Sequence, residues 1–349
     1  ERRVRGGSIV RLDEACTNSF ARHETFHPRW GWIRKAYVAA EDPSVFNADD
    51  ATLQLGVGKN MVRAIRFWGH AFRALANQRD DDRPRLGLSV RSRIGAAIFD
   101  DEFGWDPFTE DPGTLWLLHW LLLAPSDCAL PVWWTAFNEF GAVEFTQQEL
   151  TDFVTDQVRS VAAWGAGPHP SSVEKDISCL LRTYSPSSGA GRRQPFDDLV
   201  DCPLRELGLI RSVDLSERRY RFAVGPKSTL PSEIVLYACA DFLARTEATA
   251  RTVSVSRLAT EAGAPGRVFK LSEADLVSLL EEAVGKVDSA SLARPAGAVQ
   301  LAFKVAATEA ATAVVQGYYG RNDSGLAPAG GLVLAGPDAD LALGEGVAA

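Results

Sequence analysis

Between Leu55 and Leu75 the chain reads Leu-Gly-Val-Gly-Lys-Asn-Met-Val-Arg-Ala-Ile-Arg-Phe-Trp-Gly-His-Ala-Phe-Arg-Ala-Leu. Met61, Ile65, Trp68, Phe72 and Leu75 recur at three- and four-residue steps, the spacing that gathers side chains onto one helical face. Lys59, Arg63, Arg66 and Arg73 fall mostly on the other side. The pattern predicts an amphipathic helix that must be covered by a core, entered from a Gly56/Gly58 loop with Asn60 as cap. A helix amino end exposes unpaired N–H groups and a partial positive charge, and glycines admit a ligand to the backbone. With lysine and arginine added, this is the kind of anion site that grips nucleic-acid phosphates. An ordinary solvated basic face is the plainer alternative. A nucleotide P-loop is excluded, because Asn60 stands where Ser or Thr is required and Leu53 where a glycine is required.

The charge pattern bears on that choice. The net charge of −8 argues against a nucleic-acid binder taken whole, but the charges are unevenly spread. Residues 1–99 carry 17 bases and 11 acids, and residues 100–156 carry 12 acids with no Lys or Arg. Residues 157–270 turn basic again, and the remainder is acidic. Local patches can therefore bind phosphate while the chain as a whole resists indiscriminate association.

At 349 residues and 46% hydrophobic, the chain can bury a sizeable core. No apolar run is long enough to span a membrane, and no signal peptide is visible, so a soluble, cytoplasmic protein is expected. Cys16, Cys128, Cys179, Cys202 and Cys239 are scattered without a C-x-x-C pair, which fits reduced, buried thiols and excludes a zinc ribbon. Asp111-Pro112 opens an apolar helix to Leu123, and Thr146 with Glu149 forms a capping box for a helix to about Trp164. Ser171-Ser172-Val173-Glu174 repeats the capping arrangement. A hairpin is expected near Tyr220, Phe222 and Val224, and helix–turn–helix over Ser254–Val284. The fold class is therefore mainly α with small β-hairpins (α+β), with several winged-helix or helix-turn-helix-like modules. The expected divisions are a flexible arm (1–18), a helical DNA-binding region with an acidic middle (19–184), a winged-helix-like region (195–320) and a disordered tail (321–349). A Ser/Gly-rich linker at 185–194 separates the two larger regions.

His23-Glu24-Thr25-Phe26-His27 spells H-E-x-x-H, which binds zinc only when a continuous helix puts both histidines on one face. Pro28 disfavours helical geometry at His27, so a metalloprotease is not expected. The pair can still position a phosphate or move a proton, with a satisfied structural histidine beside the turn as the equal alternative. Asp100, Asp101, Glu102, Asp106, Glu110 and Asp111 supply carboxylates of the kind that hold magnesium in phosphodiester cleavage. No nuclease spacing can be completed, and solvated loop acids are the plainer reading. Trp30 and Trp32, beside Arg29, Arg34 and Lys35, are the tryptophans placed to stack on nucleic acid, with core packing as the alternative.

Five phrases carry a resemblance: Arg22-His-Glu-Thr-Phe-His-Pro-Arg-Trp-Gly-Trp32, Leu55 to Arg63, Trp105-Asp-Pro-Phe-Thr-Glu-Asp-Pro112, Thr114-Leu-Trp-Leu-Leu-His-Trp120 and Pro265 to Leu271. Asp176–Tyr184 and Asp201–Ile210 fit as well. Over about residues 19–285 the chain resembles the domain-of-unknown-function family 4007, whose members accompany DNA phosphorothioation genes. The resemblance implies the SspB-type component of the single-strand Ssp system, a DNA nicking endonuclease acting by metal-dependent phosphodiester hydrolysis. It implies double-stranded DNA as ligand, Mg2+ or Mn2+ without an organic cofactor, and a cysteine desulfurase, an ATP-dependent sulfur-transfer protein and an ATPase as partners. A non-catalytic DNA adaptor that recruits those partners is the alternative. The candidate catalytic groups are His23, Glu24, Asp101, Glu102 and Asp106, with Asp101 and Asp106 as metal ligands. Candidate DNA contacts are Arg22, Arg29, Lys35, Lys59, Asn60, Arg63, Arg66, Lys175, Arg182, Arg267 and Lys270.

Overall fold

The computed structural model describes residues 10–81, 86–185, 202–214, 216–320 and 333–343. At its centre lies α6 (Pro112–Leu123), started by Pro112 in its first turn and by the Asp111 carboxylate, which accepts from the Gly113 N–H at 2.7 Å. Every residue from Gly113 to Leu123 is buried, as a helix apolar all round requires. Its polar atoms reach three other helices or their approaches. Trp116 Nε1 donates to Thr229 Oγ1 (3.1 Å), just before α10 (Ser232–Thr246), and Trp120 Nε1 donates to Asp241 within it (2.7 Å). His119 bonds the Tyr184 hydroxyl (2.9 Å) at the end of α9 (Pro170–Tyr184) and the Val268 carbonyl (3.0 Å) at the end of α12 (Pro265–Val268). Residues on both sides of the expected linker thus share one core. The linker itself lies almost wholly outside the described residues. No described helix is long and apolar enough to cross a membrane.

Burial holds the His119 imidazole neutral, its pKa pushed down to about 4 despite the Val268 carbonyl. The unfolded chain protonates this ring near pH 6.5 and the folded chain near 4. Stability is therefore intact above pH 6.5 and falls through that window at about 1.4 kcal/mol per pH unit. Burial pushes His70 down to about 4 as well, so unfolding free energies from urea melts between pH 7 and 4 should fall at least this steeply, and a flat profile would contradict it.

The basic amphipathic helix is α4 (Lys59–Ala71), with Ile65 and Trp68 fully buried. It stops four residues short of Leu75. Arg73 turns left-handed (φ 59°), and Leu75 opens β1 (Leu75–Gln78), which pairs with β2 (Leu88–Arg91). The cause is the Arg73 guanidinium, drawn inward to donate to the carbonyls of Leu121 (2.7 Å), Ala124 (2.5 Å) and Ser126 (2.9 Å). Gly95 in α5 (Arg93–Phe99) lies against this turn, where an added Cβ would run into the Ala74 carbonyl. Gly95→Ala should cost about 3 kcal/mol, the upper range for overpacking, measured as a urea midpoint shift.

Two segments share one sheet topology, the second with the short α12 inserted. In the first, α7 (Pro131–Asn138), β3 (Glu144–Thr146), α8 (Gln147–Ser160), α9, β4 (Ile210–Asp214) and β5 (Arg219–Phe222) follow in turn, with sheet order β3-β5-β4. In the second, α10, β6 (Thr252–Ser254), α11 (Val255–Thr260), α12, α13 (Glu273–Val284), β7 (Ala290–Ala293) and β8 (Gln300–Phe303) give β6-β8-β7. The Thr146–Glu149 capping box forms as expected and starts α8, which ends at Ser160 rather than Trp164. At α9 the cap is His169 with Pro170 in the first turn, not Ser171. Because β3 pairs with β5, with Phe145 opposite Tyr220, the first sheet spans the proposed division at 185–194.

The described parts of both ends are packed onto the core. Within the expected arm, residues 10–18 include α1 (Leu12–Ala15), and the backbone of Cys16 pairs with that of Cys128 as a parallel β-bridge, both thiols being free. Within the expected tail, residues 333–343 are packed, with Ala342 bridging Ser92 and Leu334 and Ala335 buried. Apolar burial and one acidic side chain, Asp340, hold this segment where composition gives no periodicity.

Candidate nucleic-acid interface

The outward-facing cations of α4 are set by the turn before it. Gly56, at φ 65°, closes α3 (Ala51–Leu55), and Gly58 opens α4 in extended geometry. No side chain caps that end, and Asn60 lies inside the first turn instead. Lys59, Asn60 and Arg63 are exposed. Arg63 meets Glu24 at 3.4 Å, a half-exposed pair of the kind that contributes little and is screened by salt. Arg66 differs. It donates to Ser89 Oγ (3.0 Å), Asn47 Oδ1 (2.9 Å) and the Gly87 carbonyl (3.2 Å), fastening α4 to neighbouring segments rather than facing a ligand. Lys35 donates to the Leu55 carbonyl at 3.1 Å, closing the carboxyl end of α3.

His23 and Glu24 do not share a helix. Ala21, Glu24 and Thr25 have positive φ, so the H-E-x-x-H letters never form a zinc face. His23 is fully buried, with Nε2 at 2.6 Å from Asp176 Oδ1, and its ring stacks on Trp68 and meets Trp133 edge-on. Asp176 also accepts from Ala21 N at 3.0 Å. Burial pushes the Asp176 carboxyl up, only partly offset by His23. The pair clamps residues 21–23 onto α9, and Glu24 turns instead toward Arg63.

The acidic segment packs elsewhere, beside α2 (Trp32–Ala39). Asp101 pairs with Arg34, and Asp100 accepts from the Glu102 and Phe103 N–H groups and from Tyr37 Oη. Asp106 is buried and accepts from Glu110 N and Asp111 N, both at 2.9 Å. Glu102 is exposed. Asp101 and Asp106 are thus engaged separately, and no group of three or more His, Cys, Asp or Glu side chains able to hold a metal is gathered among the described residues. These carboxylates do not fit a magnesium site.

The remaining candidate contacts divide by exposure. Arg22 and Lys175 are exposed. Arg29 is buried over the Phe26 and Trp32 rings, and Trp32 is core while Trp30 packs against it, so neither tryptophan stands free to stack. Arg182 donates to Thr25 O (2.6 Å) and Ser178 O (3.3 Å), and Arg267 to Thr260 O (3.0 Å). Lys270 is buried, donating to Phe137 O at 2.6 Å with its ammonium 4.1 Å from the Phe222 ring centre. Burial, reinforced by Arg267 and Lys227, pulls its pKa down to about 7. Lys270 is therefore a core group, not a surface contact. The sequence reading missed Arg211 and Arg221, which occupy the outward positions of the same alternation that flagged Tyr220 and Phe222.

Set against known proteins, this chain belongs to the DUF4007 family, described as a protein of unknown function, whose model matches residues 20–319. Two solved structures resemble it closely. One, an SspB crystal structure, is 38% identical over 90% of this chain and 91% of its own, with a TM-score of 0.82. The other, a magnesium ion-bound SspB crystal structure, is also 38% identical, over 91% and 93%, with a TM-score of 0.85. No curated protein matches the chain.

Proposed function

We propose that this chain is the DNA-contacting component of a DNA phosphorothioation system, with the amino end of α4 gripping the duplex backbone. The observation that carries this reading is the exposed, uncapped start of α4, with Lys59, Asn60 and Arg63 outward, on a chain closely similar to SspB. N–H groups and cations converging there recognise phosphate without reading bases. The helix–strand–helix–helix–strand–strand order, which the second segment repeats with the short α12 inserted, is read here as two winged-helix modules, though neither helix before the closing strand pair is a ready groove reader. Arg182 and Asp176 tie α9 to residues 21–25, and α13 exposes Glu273, Glu281 and Glu282. Opening of one strand, with Mg2+ or Mn2+, is the chemical role the family resemblance implies. The sulfur-transfer proteins named above are its partners in this reading.

A non-catalytic adaptor is the second reading, favoured by the separate engagement of Asp101 and Asp106. Supercoiled plasmid incubated with the pure protein and Mg2+ or Mn2+ separates them. Open circles are expected from a nicking protein. Metal-independent retardation without open circles would sink nicking and leave the adaptor.

A further inference from the structure

The β4–β5 hairpin carries a cationic groove distinct from the start of α4. Ile210 and Phe222 oppose each other toward the core, so Arg211 and Arg221, one step on, face each other outward. Like charges directly opposite on neighbouring strands weaken a sheet. Among the described residues neither arginine has an ion-pair partner. Glu144, across from Arg221 on β3, pairs instead with Arg219 at 3.6 Å. Gly208 is left-handed (φ 60°), and a Cβ there would lie 3.8 Å from Arg211 Nη2, so the guanidinium lies back over the turn. Lys227 extends the line, its ammonium donating to the carbonyls of Gly225 and Lys270. Burial draws its pKa down to about 8, with Asp275 partly offsetting and Arg211 adding repulsion. With the Ser228 and Thr229 hydroxyls, these three cations and one acid, Glu206, line a groove of about 580 Å3.

We propose that this groove binds the sugar–phosphate backbone of nucleic acid, as a second phosphate-contacting surface in addition to the start of α4. An arriving phosphate relieves the Arg211–Arg221 repulsion and favours the charged form of Lys227, so binding is coupled to the strain the ladder carries. Cations strung along an open groove suit a continuous polyanion better than a single small anion, which calls for enclosure. The inference rests on the DNA-contacting reading, and its test keeps the two apart.

The full chain is titrated into a labelled short duplex over a range of salt, comparing wild type, Arg211→Ala/Arg221→Ala, Arg211→Glu and Lys59→Ala/Arg63→Ala. The double arginine variant should weaken binding about tenfold or more and lower the salt slope by about 2. Arg211→Glu should weaken binding at least as much, yet melt at or above the wild-type temperature, because it replaces a like-charge pair by an opposite one. That combination separates the proposal from a mere folding defect. Unchanged affinity and slope in both groove variants, with wild type and the α4 variant behaving as the proposed function expects, would overturn the groove alone. Absence of duplex binding by wild type overturns both, and equal displacement by poly-glutamate overturns the groove as a nucleic-acid site.

Discussion

Asp241→Ala should lower the unfolding free energy by about 3–5 kcal/mol, the range for stripping one partner from a buried ion pair. Asp241 is fully buried on α10 and is the hub of a network linking distant parts of the chain. Its carboxylate accepts from Trp120 Nε1 (2.7 Å), Arg245 Nε (2.9 Å) and Gly336 N (2.5 Å). Arg245 also donates to Asp340 at 2.8 Å, and Asp340 pairs with Arg73 as well. Burial alone would pull the Arg245 guanidinium down, but Asp241 and Asp340 more than offset it and hold it charged. Without Asp241, that charge keeps Asp340 as its remaining carboxylate, and Trp120 and Gly336 lose their acceptor. The urea midpoint and protection of residues 333–343 from proteolysis should fall together. Asp241→Asn, which keeps acceptor oxygen but loses charge, should fall between alanine and wild type. A midpoint unchanged in Asp241→Ala would show that the network does not contribute as argued.

Lys59→Ala/Arg63→Ala should weaken duplex binding by one to two orders of magnitude at low salt and flatten its salt dependence by about 2. Both side chains are exposed, and neither completes a buried network, so the fold should be untouched. Removal of Arg63 also releases Glu24, which leaves an acid beside the site and adds to the loss. Arg66→Ala is the instructive control. It breaks four structural hydrogen bonds and should lower the melting temperature while moving the salt slope little once folded protein is selected. Circular dichroism melts beside the binding titrations separate the two kinds of loss, and equal salt slopes for Lys59→Ala/Arg63→Ala and wild type would contradict the assignment.

Much of the helical framework was legible because local rules and burial agree. The Asp111-Pro112 start and the Thr146–Glu149 box are local devices, and each begins the helix it announces. Where tertiary contacts take over, local reading fails. Nothing near Phe72 announces that Arg73 will turn inward to carbonyls of the segment 121–126 and end α4 early. The tail shows the same limit, since its order comes from Asp340 meeting Arg73 and Arg245 far away in sequence. Within the expected winged-helix-like region, residues 290–318 gave no individual elements, although β7, β8 and α14 (Ala307–Tyr318) form there, the strands being only four residues each. For the site, sequence finds cations but not their engagement. Arg29, Arg66 and Lys270 look like surface bases in the string, yet pack on rings or donate to backbone and side-chain acceptors inside. His23 hides the opposite way, with a partner, Asp176, supplied by a helix far along the chain.

The most direct test of the central claim is the binding of a labelled duplex by the full-length chain, followed by anisotropy as salt is raised. Saturable binding whose logarithmic affinity falls linearly with logarithmic salt, and which weakens when Lys59 and Arg63 are removed, is the result predicted. Absence of binding at low salt, or an affinity that ignores salt, would contradict it.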